Sequence, residues 1–200
     1  MTKRQPNPGF PTGRVLFTAD THFGHEGAIG HSRRPFNDAP EMDRLLVEAW
    51  NATVGPRDTV YHLGDFAHKS SPERCAEVFA QLRGRKHLIR GNHDRRRTLV
   101  LPWESIHDRL TIRLSGHKIV LDHFPMRSWD SAYHGSLHMF GHVHGKFEGT
   151  SQSCDVGVDV WQYRPVTLDE ILLRLAANPN PPEERLGQDP DEDAEDDDAE

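Results

Sequence analysis

KHLIRGNHD, residues 86–94, carries a short apolar core and stops abruptly at Gly91-Asn92-His93-Asp94. A run of this length reads as a strand, Lys86–Arg90, and the glycine reads as a sharp turn that hands three polar side chains to its C-terminal end. The same grammar recurs on either side. Upstream, Arg14–Ala19 (RVLFTA) ends at Asp20-Thr21-His22 and Thr59–Leu63 (TVYHL) ends at Gly64-Asp65. Downstream, Lys118–Asp122 ends at His123, and Leu137–Phe140 leads into Gly141-His142-Val143-His144. Five apolar segments thus each deliver a metal-competent group just past their C-terminal ends. In α/β sheets that edge is where ligands bind.

Helical patterns separate the early strands. Asp38 and Pro40 open EMDRLLVEAWNATV, in which Met42, Leu45, Leu46, Ala49 and Trp50 share a face. Ser70-Ser71-Pro72-Glu73 predicts a capped helix running to about Leu82, with Gly84 as its stop. Arg109–Leu114 and Lys118–Asp122 flank Ser115-Gly116-His117 as a hairpin. Asp155–Val160 (DVGVDV) reads as a last core strand, and Thr167 with Glu170 as the capping box of a helix through about Ala177. Alternating strands and helices followed by hairpin-like strands predict a layered α/β domain over residues 14–180. A flexible lead is expected at 1–13.

Residues 183–200 hold 11 of the 31 acidic residues and one of the 24 basic ones, so the rest of the chain has a net charge of +3. That composition predicts an acidic disordered tail over 181–200. No run of about 18 apolar residues is present, which argues against a membrane span. The polar, proline-containing start lacks the apolar core of an export signal. With only Cys75 and Cys154, far apart in the sequence, these features lead to the expectation of a reducing cytoplasm.

Fourteen histidines in 200 residues hint at metal chemistry, but the spacing carries the case. Asp20/His22 and His142/His144 are spaced to project together wherever the backbone stays extended. Carboxylate, imidazole and amide oxygen make a mixed N/O donor set, suited to Mn²⁺, Fe or Zn²⁺. Neither cysteine joins these clusters, which disfavours a structural zinc knuckle.

In order, D-T-H, G-D, G-N-H-D, H and G-H-V-H resemble the calcineurin-like metallophosphoesterase superfamily across about residues 14–160. The surrounding text (FTADTHFGH, EMDRLLVEAW, VYHLGDF, HFPMRSWD, LHMFGHVHG, GVDVWQYRPV) is similar to a compact bacterial and phage branch of it. The resemblance implies a four-layer sandwich, two central β-sheets flanked by helices, with a metal site at the strand C-terminal ends. It implies two divalent cations, manganese first, with iron, zinc or nickel as alternatives. Asp20, His22, Asp65 and His144 would hold one, and Asp65, Asn92, His123 and His142 the other, with Asp65 as the bridge. A hydroxide bridging the pair would be the nucleophile. His93 would protonate the leaving oxygen or stabilise phosphate charge, and Asp94 would orient His93.

The expected function is therefore metal-dependent phosphoester hydrolysis, with a diester preferred over a monoester because the short body leaves little chain for an enclosing cap. Two alternatives stand beside it. A nuclease would use the basic run Arg95-Arg96-Arg97 on nucleic acid. A non-catalytic metal-binding scaffold would bind a protein partner. His25 and Arg127 are candidates for substrate contact. His31, His62 and His68 read as loop or core filling, and Trp129 and Trp161 as packing residues with stacking on a base as the alternative.

Overall fold

The computed structural model describes residues 13–186. Along the chain run β1 (Val15–Thr18), α1 (Glu26–His31), α2 (Ala39–Thr53), β2 (Thr59–His62), α3 (Pro72–Gln81), β3 (Arg85–Ile89), α4 (Arg96–Leu99), β4 (Ser105–His107), β5 (Arg109–Leu114), β6 (His117–Asp122), β7 (Leu137–Phe140), β8 (Ser153–Asp155), β9 (Val166–Thr167) and α5 (Leu168–Ala176). The strands form two sheets, ordered β4-β3-β2-β1-β9 and β5-β6-β7-β8. In the first, β1 to β4 run parallel and β9 is antiparallel to β1. In the second, β5 and β6 form the hairpin, and β6, β7 and β8 run parallel.

Alternation along single strands builds the layers. Leu16 of β1 faces Met42, Leu46 and Trp50 of α2 and Val78 and Phe79 of α3. Its neighbour Phe17 faces the opposite way, into a core shared with Ile119, Leu121 and Met139 of the second sheet. In β6, Val120 turns outward to Trp129 and Ala132. The expected sandwich is present, with two sheets packed face to face and helices on the first. The outer face of the second sheet is covered by the 123–136 segment, which runs in bends and turns. Helix α5 puts Leu168, Ile171 and Leu175 into the core between the sheets.

Helices α2, α3 and α5 form where the sequence places them, for local reasons, whereas the short α1 and α4 fall on stretches that carry no helical pattern. The Asp38 side chain accepts from the Glu41 N–H at 2.8 Å, and Pro40 lies in the first turn. Such a cap is worth about 1 kcal/mol. Met42, Leu46 and Trp50 recur every four residues on the buried face, and full burial of each contributes about 1.5–3 kcal/mol. Ser71 caps α3, and Thr167 with Glu170 forms the capping box of α5.

One strand differs from expectation. Asp155–Val160 is not continuous: β8 covers Ser153–Asp155, and Val158–Val160 forms a 3₁₀ turn. The Asp155 carboxylate accepts the Gly157 N–H at 2.7 Å and turns the chain there. At the C-terminus, Glu183–Arg185 form a second 3₁₀ turn. Glu183 pairs with Arg127, and Glu184 accepts from Ser128 and from the Tyr133 N–H. The remainder of the expected lead, residues 1–12, and of the expected acidic tail, 187–200, lies outside the described residues. No helix among the described residues is long and apolar enough to cross a membrane.

Candidate metal centre

All the parallel strands present their C-terminal ends at one edge, and the loops leaving them are laced together there. The Asp20 N–H donates to the Gly64 carbonyl and the His22 N–H to the Asp65 carbonyl, each at 3.0 Å. The Gly141 N–H donates to the His123 carbonyl at 3.0 Å. Side chains join in: Asp20 Oδ2 accepts the His142 N–H and Asp65 Oδ1 the His93 N–H, both at 2.8 Å. The approach at Gly141 is close enough that a Cβ there would lie 2.7 Å from Asp20 Oδ2.

The expected extended backbone at Asp20/His22 and His142/His144 is not what the chain adopts. All four lie in the left-handed region, at φ +57°, +51°, +72° and +50°, and Asp65 does so at +58°. Non-glycine residues there cost on the order of 1–3 kcal/mol each and persist only where surrounding contacts enforce them. The inter-loop hydrogen bonds above supply that enforcement. Five of the eleven non-glycine residues with positive φ among the described residues gather on this one edge, and all five belong to the motifs, which marks it as a functional site.

Two groups of donor atoms result: Asp20, His22 and His144, and Asp65, His123 and His142. Within each group the ligand atoms lie within 4.8 Å of one another. Asp65 sits between them, its Oδ2 3.7 Å from His22 Nε2 and 3.6 Å from His123 Nε2. Asn92 Oδ1 reaches His123 Nε2 at 3.0 Å, which brings it to the second group. Burial, followed by the charges of Asp155 and Asp65, holds the Asp20 carboxyl well above its ordinary range. Burial, followed by repulsion from His144, holds His22 well below its own. Asp20 Oδ1 and His22 Nδ1 are buried without a hydrogen-bond partner among the described residues. Buried polar atoms are ordinarily satisfied, so these orphaned donors fit a bound cation.

Outer contacts fix which imidazole nitrogen is free. His123 Nδ1 lies 2.8 Å from the Leu63 carbonyl, which can only accept, so the proton belongs on Nδ1. Nε2 and Asn92 Oδ1, 3.0 Å apart, then face each other as two lone pairs that a shared cation would satisfy. His144 Nδ1 lies 2.7 Å from Asp159 Oδ2, which likewise puts the proton on Nδ1. Asp159 is itself gripped by Arg34 through two hydrogen bonds of 2.8 Å, and the same guanidinium donates to the Asp20 and Thr21 carbonyls. The sequence reading missed both residues. Asp159 was absorbed into an expected strand, and Arg34 stands 125 positions from it.

Asp94 works differently from expectation. Its Oδ2 accepts the Asp65 and Gly91 N–H groups at 2.9 Å and its Oδ1 the Phe66 N–H at 3.0 Å. Both oxygens are occupied by backbone, so the carboxylate ties the G-D loop to the G-N-H-D loop and leaves the His93 ring to other neighbours. Burial pushes its carboxyl up to about 6 against those N–H groups.

The His93 ring is 37% exposed and lies 4.2 Å from the His68 ring and 5.6 Å from that of His22, centroid to centroid. It belongs to neither donor group among the described residues. His25 packs against His68 at 4.5 Å and His22 at 5.6 Å and is nearly buried, so it backs the site more than it opens onto substrate. Burial, then the nearby His68, brings it down to about 4. His62 is a core residue bonded to Thr21. Arg127 is occupied by Glu183. Trp129 and Trp161 are buried and are not available to stack on a base.

Comparisons with known proteins cover most of the chain. The model of the calcineurin-like phosphoesterase family matches residues 13–172. An uncharacterized protein of Methanocaldococcus jannaschii is 32% identical over 168 residues, 80% of this chain and 89% of that protein. The gene 66 protein of Mycobacterium phage D29 is 29% identical, with 78% and 93% covered. The crystal structure of a protein of unknown function from Aquifex aeolicus superposes with a TM-score of 0.65 at 27% identity, over 80% of this chain and 98% of that one. With its donor groups at the edge where that family's motifs fall, the chain belongs to the calcineurin-like phosphoesterase family and is a metal-dependent phosphoester hydrolase.

Proposed function

We propose that the chain hydrolyses phosphodiesters, with one divalent cation held by Asp20, His22, Asp65 and His144 and a second by Asp65, Asn92, His123 and His142. The observation that carries this reading is Asp65, whose carboxylate lies between the two donor groups. A pair of cations held there would supply an activated water and neutralise phosphoryl charge. The mixed N/O donors suit manganese, iron, zinc or nickel, and manganese is the ion we take first.

The side chains do the rest. Asp65 Oδ1, by accepting the His93 N–H, fixes the loop on which the His93 ring is presented. His93, partly exposed and outside both donor groups, protonates the leaving oxygen or stabilises its developing charge. Asn92 and His142 are exposed, so the centre opens on the rim toward solvent. An open rim suits a diester carrying substituents on both sides better than an enclosed monoester. Two free, buried thiols are consistent with a cytoplasmic setting.

The test is a hydrolysis screen of the manganese-loaded protein with bis-para-nitrophenyl phosphate, para-nitrophenyl phosphate, cyclic nucleotides and short oligonucleotides, run beside Asp65→Ala. The expected result is faster diester than monoester cleavage, abolished in Asp65→Ala with loss of bound metal. A higher kcat/KM on the monoester would overturn the diester reading. No turnover on any substrate by fully metal-loaded protein would favour the scaffold reading.

A further inference from the structure

A groove of about 590 Å³ runs outward from the Asn92 end of the centre. Its walls include Arg90, Asn92, Arg95, Asp108, Asp122 and Phe124. Phe124 is 45% exposed, although its ring packs edge-on at 4.6 Å from His142 and 4.9 Å from His123, centroid to centroid. The backbone presents it there for a local reason. Its N–H donates to Asp122 Oδ1 at 2.9 Å, which turns the chain as β6 ends.

The charges around this ring are nearly all committed. Asp122 is paired with Arg109 at 2.8 Å and Asp108 with Arg90 at 2.6 Å. The carboxylate of Asp94, which also borders the groove, is taken by backbone N–H groups. Arg95 is exposed and has no side-chain partner among the described residues. The groove therefore offers one flat apolar face and one uncommitted cation, and it meets the centre at Asn92 and at Phe124, whose ring packs on His123 and His142. A planar ring joined to a phosphate fits that combination.

Resting on the phosphodiesterase reading, we infer that this groove is a nucleoside subsite, in which Phe124 stacks on the base of the group retained by the scissile phosphate and Arg95 meets the next phosphate along a strand. The orientation follows from His93. Its ring lies toward His22 and His68, so the leaving group departs on that side. The retained group then lies on the side of Asn92, His142 and Phe124. Stacking on an aromatic side chain tolerates any base, so the subsite selects nucleotides as a class and does not read their sequence.

Two esters with a common leaving group test this: thymidine 5′-para-nitrophenyl phosphate and methyl para-nitrophenyl phosphate, with manganese-loaded wild type, Phe124→Ala and Phe124→Trp. The nucleoside ester is expected to have the higher kcat/KM in wild type. Phe124→Ala should reduce that preference by about fivefold to a hundredfold, the range of a lost base stack, and Phe124→Trp should keep it. Equal losses on both esters, or no preference in wild type, would overturn the subsite and leave the diesterase standing. Turnover of neither ester would remove the diesterase reading, and the subsite would fall with it.

Discussion

Asp159 accepts from His144 Nδ1 at 2.7 Å while both of its oxygens are held by Arg34 at 2.8 Å. The pairing sets the tautomer of one proposed metal ligand and joins it to the backbone of another, since Arg34 also donates to the Asp20 carbonyl. The side chain of Arg34 is fully buried, and a buried charge that loses its partner is costly. Asp159→Asn keeps a hydrogen-bond acceptor for His144 but removes the charge that offsets Arg34. The expected result is metal affinity or activity about 10–100-fold lower, read by titrating activity against Mn²⁺. An unchanged manganese dependence would show that His144 needs no such support.

Asp94 tests a different link, from loop geometry to chemistry. In Asp94→Asn one carboxylate oxygen becomes an NH₂ group facing a backbone donor, and a buried unsatisfied donor costs about 1–3 kcal/mol. The Asp65, Phe66 and Gly91 N–H groups now share a single acceptor. Both the unfolding midpoint and kcat should fall. A lower kcat with an unchanged midpoint would mean that Asp94 acts through the His93 ring after all.

What the sequence disclosed and what it hid divide along physical lines. The strand ends at Asp20, Asp65, Asn92, His123 and His142 were legible because short apolar runs stop at polar residues, three of them at Gly64, Gly91 or Gly141. The caps at Asp38, Ser71 and Thr167 were legible because capping is local chemistry. β4 and β9, three and two residues long, carry too little pattern to be read. The left-handed backbone at Asp20 and His142 is imposed by contacts with distant loops, and nothing in a non-glycine residue announces it. Nothing in the sequence singles out Phe124 after His123; only the fold leaves its face in solvent.

His93 separates binding from chemistry. Because its ring belongs to neither donor group, His93→Ala should retain both metals by elemental analysis. Loss of general-acid assistance should then lower the rate by about 10²–10⁴ on an ester with a poor alkoxide leaving group. A para-nitrophenolate departs with little need of a proton, so its loss should be smaller. Equal losses on the two substrates would assign His93 to phosphate charge stabilisation.

Stability toward acid should be governed in part by His138, well away from the chemistry. Its Nδ1 lies 3.1 Å from the Val120 carbonyl, and its Nε2 accepts the Met126 N–H at 3.2 Å. The ring is fully buried against Trp129 and Phe140. Burial brings its pKa down from 6.5 to about 4, because a proton added at Nε2 would face the Met126 N–H inside a desolvated core. The unfolded chain takes up that proton near pH 6.5 and the folded chain only near pH 4. The contribution to stability is therefore complete above pH 6.5. It falls by about 1.4 kcal/mol per pH unit down to the folded value, then levels off. His138→Gln removes the titrating group, so its unfolding free energy between pH 6.5 and 4 should decline less steeply than that of wild type, by close to one proton. Denaturant unfolding at several pH values in that window measures the slope, and any carboxylate common to both proteins cancels in the difference. Parallel pH profiles would show that His138 is already protonated in the folded core.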